Sequence, residues 1–275
     1  MAWRPTRIER YLSSAETSTK VARVLTDAGE AYMKAMGNPE GPHALVREYV
    51  GTSLAAWFGL PTFEYAIIEH DAVVDIPFGR GKSLAEAGPA FLARAHEGSP
   101  WSGNQKELEK VENLEMITKL VAFDTWVRNR DRCSSCGFEQ RLHYDNVFLS
   151  EEGASPGKFR LIAMDFSHCL QEGAELNRHV SDIGNVQDDR VYGLFKSFER
   201  YLQRDMLDYA FDRLLSVDKR VLDGIISRIP SAWGLEAASR TALREFLVRR
   251  AGYIVNILNN ALSPFFEKQG NLLTD

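Results

Sequence analysis

The chain has 275 residues, 44% of them hydrophobic, 26% charged and 11% aromatic, which excludes disorder and collagen-like repeats and fits one large domain or two small lobes. With 33 Lys and Arg against 38 Asp and Glu, the net charge is -5; this argues against a broad nucleic-acid or anionic-membrane surface and allows a local basic pocket. No apolar run approaches the roughly 20 residues that cross a bilayer, the opening MAWRPTRIER lacks a secretory apolar stretch, and three cysteines fit a reducing compartment, so a cytoplasmic location is expected.

In chain order, residues 13–19 are polar without an apolar period and read as a flexible loop. Residues 20–26 and 30–36 read as strands joined by Asp27-Ala28-Gly29, the chemistry of a tight hairpin turn. Pro42 opens a helix that runs to Phe58 and is stopped by Gly59, with Pro61 behind it. Residues 62–69 and 90–95 read as further strands. Ser102 with Gln105 would form a capping box, after which Leu108, Val111, Leu114, Ile117, Val121 and Phe123 predict one helical face ending near Trp126 to Arg128. Short strands are expected at 146–149 and 159–164, then helices at 192–215, at 218–229 with Pro230 as a stop, and at 235–262. Phe195, Phe198, Tyr201, Leu202 and Leu207 form a stripe that reads as core. The expectation is an α+β fold of two lobes. Residues 1–100 would make a small β-rich lobe with one helix, and residues 101–275 a larger, mostly α-helical lobe.

The polar residues narrow the chemistry. Asp131 follows the long helix in Asn129-Arg130-Asp131-Arg132, Asn146 precedes a strand in His143-Tyr144-Asp145-Asn146, and Asp165 ends the next strand before Phe166. Phosphoryl transfer from ATP needs such a set, because it is governed by positioning and charge neutralisation. Carboxylate and amide oxygens suit Mg²⁺, and a carboxylate away from the metal can take a proton from an acceptor hydroxyl. The small lobe adds Lys34 in a strand and Glu48 in the following helix. Plainer explanations exist for each: a solvated edge lysine, an exposed helix charge, and turn residues at Asp131 and Asn146. Asp165 is the hardest to explain away, since an aspartate ending an apolar strand needs a compensating partner.

The order lysine strand, glutamate helix, N-x-D-R, H-x-x-N, strand, D-F resembles the HipA-like kinases, within the wider protein-kinase-like group. The likeness spans about residues 10 to 260 and includes Arg47-Glu48-Tyr49 through Gly59-Leu60-Pro61, Gly88-Pro89-Ala90-Phe91, and Phe123 through Asn129. It implies a two-lobed kinase-like fold with ATP and Mg²⁺ in the cleft. Lys34 would contact the phosphates, Glu48 would hold Lys34, Asp131 would be the catalytic aspartate, and Asn146 and Asp165 would bind Mg²⁺. Residues 91–98, with Ala95 and His96, would form the adenine hinge, and Ser18 and Thr19 would lie over the phosphates, although the loop lacks a G-x-G-x-x-G. The implied activity is γ-phosphoryl transfer to a hydroxyl, with Ser or Thr of a protein as acceptor. A small-molecule or lipid acceptor and a non-catalytic nucleotide-binding module are the alternatives. No direct nucleic-acid partner is expected, nor the extra N-terminal subdomain by which full-length HipA toxins meet their antitoxin.

Residues 133–142 depart from the family's compact D-R-H-x-x-N loop and read as an insertion that must bulge outward if Asp131 and Asn146 are to stay together. Cys133 and Cys136, with Cys169 and either His143 or His168, could pin it through zinc; plain reduced thiols are the simpler expectation. Arg249 and Arg250 either face the cleft or lie on a solvated face.

Overall fold

A computed structural model describes residues 3–15, 18–79, 83–133, 142–173 and 175–271, the last four as backbone alone. Strands β1 (Ile8–Ser14), β2 (Ala22–Thr26), β3 (Gly29–Lys34), β4 (Tyr65–His70) and β5 (Gly88–Arg94) form an antiparallel sheet in the order β1-β2-β3-β5-β4. The polar segment expected as a loop therefore begins inside a strand, since Ser13 and Ser14 close β1. An edge strand can do without an apolar face: β1 pairs only with β2, through two register shifts, and all its side chains are at least partly exposed. Thr26 pairs with Gly29 across the β2–β3 turn, and Gly29 has φ 104°, a conformation that favours glycine.

Helix α1 (Pro42–Phe58) begins with proline in its first turn and ends on Gly59 in the left-handed conformation, whose N–H reaches the carbonyls of Ala55 and Ala56. It is buried along most of its length, Arg47 and Glu48 included, so its few polar side chains must find partners inside the protein. This is the one helix of a small β-sheet lobe, and the larger lobe that follows is mostly helical.

That lobe opens with β6 (Gly98–Pro100), α2 (Gln105–Leu108) and α3 (Met116–Val127). Two helices thus replace the single one expected. Between them Asn113 spends both ends of its amide on β8 (Arg160–Ala163), donating to Leu161 O at 3.1 Å and accepting from Leu161 N at 2.7 Å. Val111 bridges Phe159, so the apolar spacing serves packing without a continuous helix. Asn104, rather than Ser102, caps α2 by accepting from Lys106 N at 3.0 Å, while Ser102 bonds Glu107. The short, fully exposed β6 pairs with β7 (Val147–Ser150), which pairs with β8.

The remaining elements are α4 (Ile183–Val186), α5 (Arg204–Leu215), α6 (Lys219–Ile226) and α7 (Ala237–Asn271). The helix expected over 192–215 is only α5 in its second half. Gly193 is left-handed, Tyr192 N bonds Thr125 Oγ1, and residues 196–201 form a tight 3-10 turn. Phe195, Phe198, Leu202 and Leu207 are buried, as a core stripe should be. Helix α7 runs on past residue 262 and through Pro264. Trp126 Nε1 donates to Leu247 O at 2.9 Å and Trp233 Nε1 to Pro89 O at 2.9 Å, the latter tying the helical lobe to the sheet. No helix among the described residues is long and apolar enough to cross a membrane.

Arg250 does not face the cleft. It is fully buried and donates to the carbonyls of Thr125 and Trp126, where α3 ends, and to those of Asn185, Val186 and Asp188. Arg249 is exposed and pairs with Glu245 at 2.8 Å.

Candidate active site between the lobes

Lys34 ends β3, a strand flanked by β2 and β5, so it is no edge residue. Its Nζ is almost fully buried and donates to Glu48 Oε2 at 2.7 Å and to Asp165 Oδ1 at 2.8 Å. Burial alone would lower the lysine's proton affinity, but the two carboxylates outweigh it and the group is held protonated. Burial likewise works against a charged Asp165, yet Lys34, Ser167 and His168 bring its carboxyl well below the usual range. Glu48 is pushed the other way, upward, chiefly by burial.

Glu48 Oε2 also accepts from Phe166 N at 3.0 Å, so one oxygen fixes both the lysine and the chain directly after Asp165. Phe166 can pack this close to α1 only because position 51 is glycine: a Cβ there would stand 2.3 Å from Phe166 Cβ. Asp165 itself is left-handed, φ 59°, which short polar side chains tolerate better than branched ones. Ser167 Oγ donates to Asp165 Oδ1 at 2.6 Å, the same oxygen that Lys34 takes.

Asn146 ends a 3-10 turn, Tyr144–Asn146, just before β7. Its Nδ2 donates to Asp131 Oδ2 at 2.9 Å. Two histidines flank Asp131: His143 Nε2 lies 3.7 Å from Oδ1 and His168 Nδ1 3.6 Å from Oδ2, while His168 Nε2 meets Glu40 Oε2 at 2.9 Å. The insertion does not separate Asp131 from Asn146. Its ends return to each other, with Cys133 bridged to Leu142 and His143 N bonded to Arg132 O at 3.1 Å, while residues 134–141 lie outside the described residues.

A residue missed in the sequence holds this loop. Arg132 is fully buried; Nε donates to Asp124 Oδ2 at 2.6 Å, Nη1 to Asn146 O, and Nη2 to Met164 O at 3.0 Å. One guanidinium thus fastens the segments that present Asp131, Asn146 and Asp165. Its place beside Asp131 was the available signal, since an arginine there matches a buried aspartate in the preceding helix.

Lys34, Glu48, Asp145, Asn146 and Asp165 line a cavity of about 220 Å³ whose other walls are mostly apolar, among them Val21, Phe91, Ala93, Phe148 and Met164. Such a mixture suits a ligand with a flat apolar part and a charged tail. Ser18 and Thr19 do not line it. Ser18 is exposed and Thr19 buried, and their neighbours Ala15 and Val21 face the cavity instead. Ala95 and His96 do not line it either: Ala95 N bonds Glu30 O, and His96 packs edge-on against Phe63 with Nδ1 near Ser150 Oγ. Ala93 and Pro100 take those places.

A hard divalent cation fits the oxygens among these polar lining residues. Among the described residues, Asp165 Oδ2 accepts no hydrogen bond, because Lys34 and Ser167 both take Oδ1, and Asn146 turns its nitrogen to Asp131, leaving its oxygen available. Of the residues that could hold zinc, Cys136 lies outside the described residues, and Cys133 and Cys169 bond different segments, at Leu194 O and Arg47 O. Burial pushes the Cys133 thiol up to about 11 and raises Cys169 as well, which disfavours thiolate. No group of three His, Cys, Asp or Glu poised for a metal occurs among the described residues.

A β lobe with one buried helix, a helical lobe, and a lysine–glutamate–aspartate cluster between them define the kinase-like class of fold. The chain belongs to the HipA-like kinase family, whose model matches residues 13–267. No curated protein matches it. Its structure is similar to that of the Helicobacter pylori proinflammatory kinase CtkA, with 14% identity, a TM-score of 0.58, and coverage of 95% of this chain and 96% of that one. The Mycobacterium tuberculosis PknI kinase domain matches with 14% identity and a TM-score of 0.33 over 92% of this chain and 98% of that one. At such identities the likeness to CtkA shows a shared fold.

Proposed function

We propose that the protein is an ATP- and Mg²⁺-dependent kinase that transfers the γ-phosphoryl group to a hydroxyl, with Ser or Thr of a protein as acceptor. The observation behind this is the convergence of Lys34, Glu48 and Asp165 in the wall of the cavity that Asn146, bonded to Asp131, also lines. Lys34, held by Glu48, is the fixed cation for the phosphates. Asn146 and Asp165 are the ligands for Mg²⁺, which when bound neutralises phosphate charge.

Asp131 is the base. Asn146 occupies its Oδ2, which leaves Oδ1 for the proton of the acceptor hydroxyl. The hydroxyl oxygen forms a bond to the γ-phosphorus as the bond from that phosphorus to the β–γ bridging oxygen breaks; ADP leaves and the proton passes to Asp131. Preorganisation supplies the catalysis, because the network of Arg132 and Glu48 fixes these groups before substrate arrives.

Incubation of the pure protein with γ-labelled ATP and Mg²⁺, followed by mass spectrometry of the protein itself, of lysate proteins and of metabolites, tests the proposal. Phosphoserine or phosphothreonine is the expected product. Label found only on metabolites would move the acceptor to a small molecule, and no label on anything would refute the kinase function.

A further inference from the structure

A second cavity, of about 320 Å³, has Asp131 in its wall, and Asp131 does not line the first. An acceptor hydroxyl that reaches Asp131 brings its neighbouring groups into this space. Three guanidiniums from three separate segments line it: Arg47 of α1, Arg130 just after α3, and Arg190 beyond α4. Arg190 grips Asp188 through Nε and Nη2, both at 2.7 Å, and Arg47 Nη2 donates to Gly173 O at 2.8 Å.

Behind this wall positive charge is concentrated. The Asp188 carboxylate receives Arg128 Nε at 2.8 Å and lies 3.9 Å from Arg130 Nη2, and Arg250 Nη1 bonds the Asp188 carbonyl at 2.8 Å. Burial, then repulsion from Arg128, lowers the proton affinity of Arg130. Three carboxylates line the cavity beside the three arginines, and one of them, Asp131, already accepts from Asn146 through Oδ2. Glu172, which pairs with Arg130, is 71% exposed, and Glu40 is bound to His168. The Arg130–Glu172 pair is open to solvent on its Glu172 side, so an anion offering several acceptors to a preset guanidinium fork can displace Glu172.

We propose that this cavity recognises an anionic group on the acceptor, the carboxylate or phosphate of a residue adjacent to the reacting Ser or Thr, held by Arg130 and Arg190. This rests on the kinase function proposed above. Acidic or phosphorylated sequences around the target hydroxyl are then preferred substrates, and Glu172 acts as a built-in competitor for the same arginines.

Calorimetric titration with inorganic phosphate, at saturating ADP and Mg²⁺ so that the nucleotide cleft is filled, tests this directly. Saturable binding is expected in the native protein, at least tenfold weaker in the doubly substituted Arg130→Gln, Arg190→Gln protein and several-fold tighter in Glu172→Ala. Because Glu172 is exposed, its variant keeps the test decisive even if the double variant fails to fold. Absence of saturable phosphate binding in the native protein, or equal affinity in native and Glu172→Ala proteins, overturns the inference. Rates on matched peptides with acidic or neutral residues flanking serine form the second arm. Equal rates overturn the anion site and leave the kinase function standing; no phosphorylation of any peptide counts against the protein acceptor, and the phosphate titration then decides the anion site alone.

Discussion

Glu48 Oε2 serves Lys34 Nζ and Phe166 N together, so the orientation of the cation and the course of the chain after Asp165 are a single structural fact. Asp165→Ala removes the carboxylate that faces Lys34, and Mg²⁺-dependent ATP turnover should fall by about 10²- to 10³-fold, the order expected for losing one preorganised charged group; steady-state ATPase and kinase rates measure it. Gly51→Ala is a subtler probe. Its Cβ would collide with Phe166, and overpacking of this kind costs about 1–3 kcal/mol. Thermal denaturation should show the loss, and turnover should drop with it because Phe166 drags Asp165; full activity in a destabilised Gly51→Ala protein would uncouple the two. Asp165 was legible in the sequence because a charge ending an apolar strand needs a partner, and Lys34 and Glu48 were legible from their place in the order of motifs. Ser18, Thr19, Ala95 and His96 were placed by analogy of position, and they fall two or three residues from the nearest positions that line the cavity, a resolution that strand periodicity does not reach.

Among the elements, the loop between α3 and β7 depends on Arg132. Replacing it with Met leaves Asp124 buried beside Asn129 with its main cation gone, and removing one partner of a buried pair costs about 3–5 kcal/mol. Chemical denaturation of Arg132→Met should show a loss of that order; a change under 1 kcal/mol would mean that Asp124 is satisfied in another way. The helix α1 was readable from its proline start and glycine stop, and the β2–β3 hairpin from its turn residues. The break between α2 and α3 was not, since it comes from Asn113 bonding Leu161, a contact 48 residues away in sequence. The fate of 192–203 is similar: its apolar residues are core, but Gly193 must approach Asp124 so closely that a Cβ would stand 2.4 Å from a carboxylate oxygen.

For the whole molecule, the lobes are joined where the chemistry is proposed, through Lys34 with Asp165, Glu48 with Phe166, His168 with Glu40, and Arg47 with Gly173, and behind it through Trp233 with Pro89. The two-lobed layout could be read from the shift between strand-like and helical patterning; these cross-lobe bonds could not, as they join residues up to 144 positions apart. Charge also sets an acid limit. Burial opposes ionisation of Asp188, but Arg190, Tyr192 and Arg128 hold its carboxyl well below the usual range. A depressed carboxyl stabilises the fold in full above its unfolded value near 4 and loses that contribution as pH falls further. The stability gap between native protein and Asp188→Asn should therefore be constant from pH 7 to 5 and shrink below about pH 4; a gap that stays constant to pH 3 would show that the carboxyl is not depressed. The central claim, that Asp131, Asn146 and Asp165 meet an amine from the other lobe to handle ATP with Mg²⁺, is tested most directly by calorimetry of ATP binding with and without Mg²⁺. Native protein should bind ATP tightly only with Mg²⁺, and Asp165→Ala should lose that dependence; identical ATP affinity with and without Mg²⁺ in the native protein would contradict it.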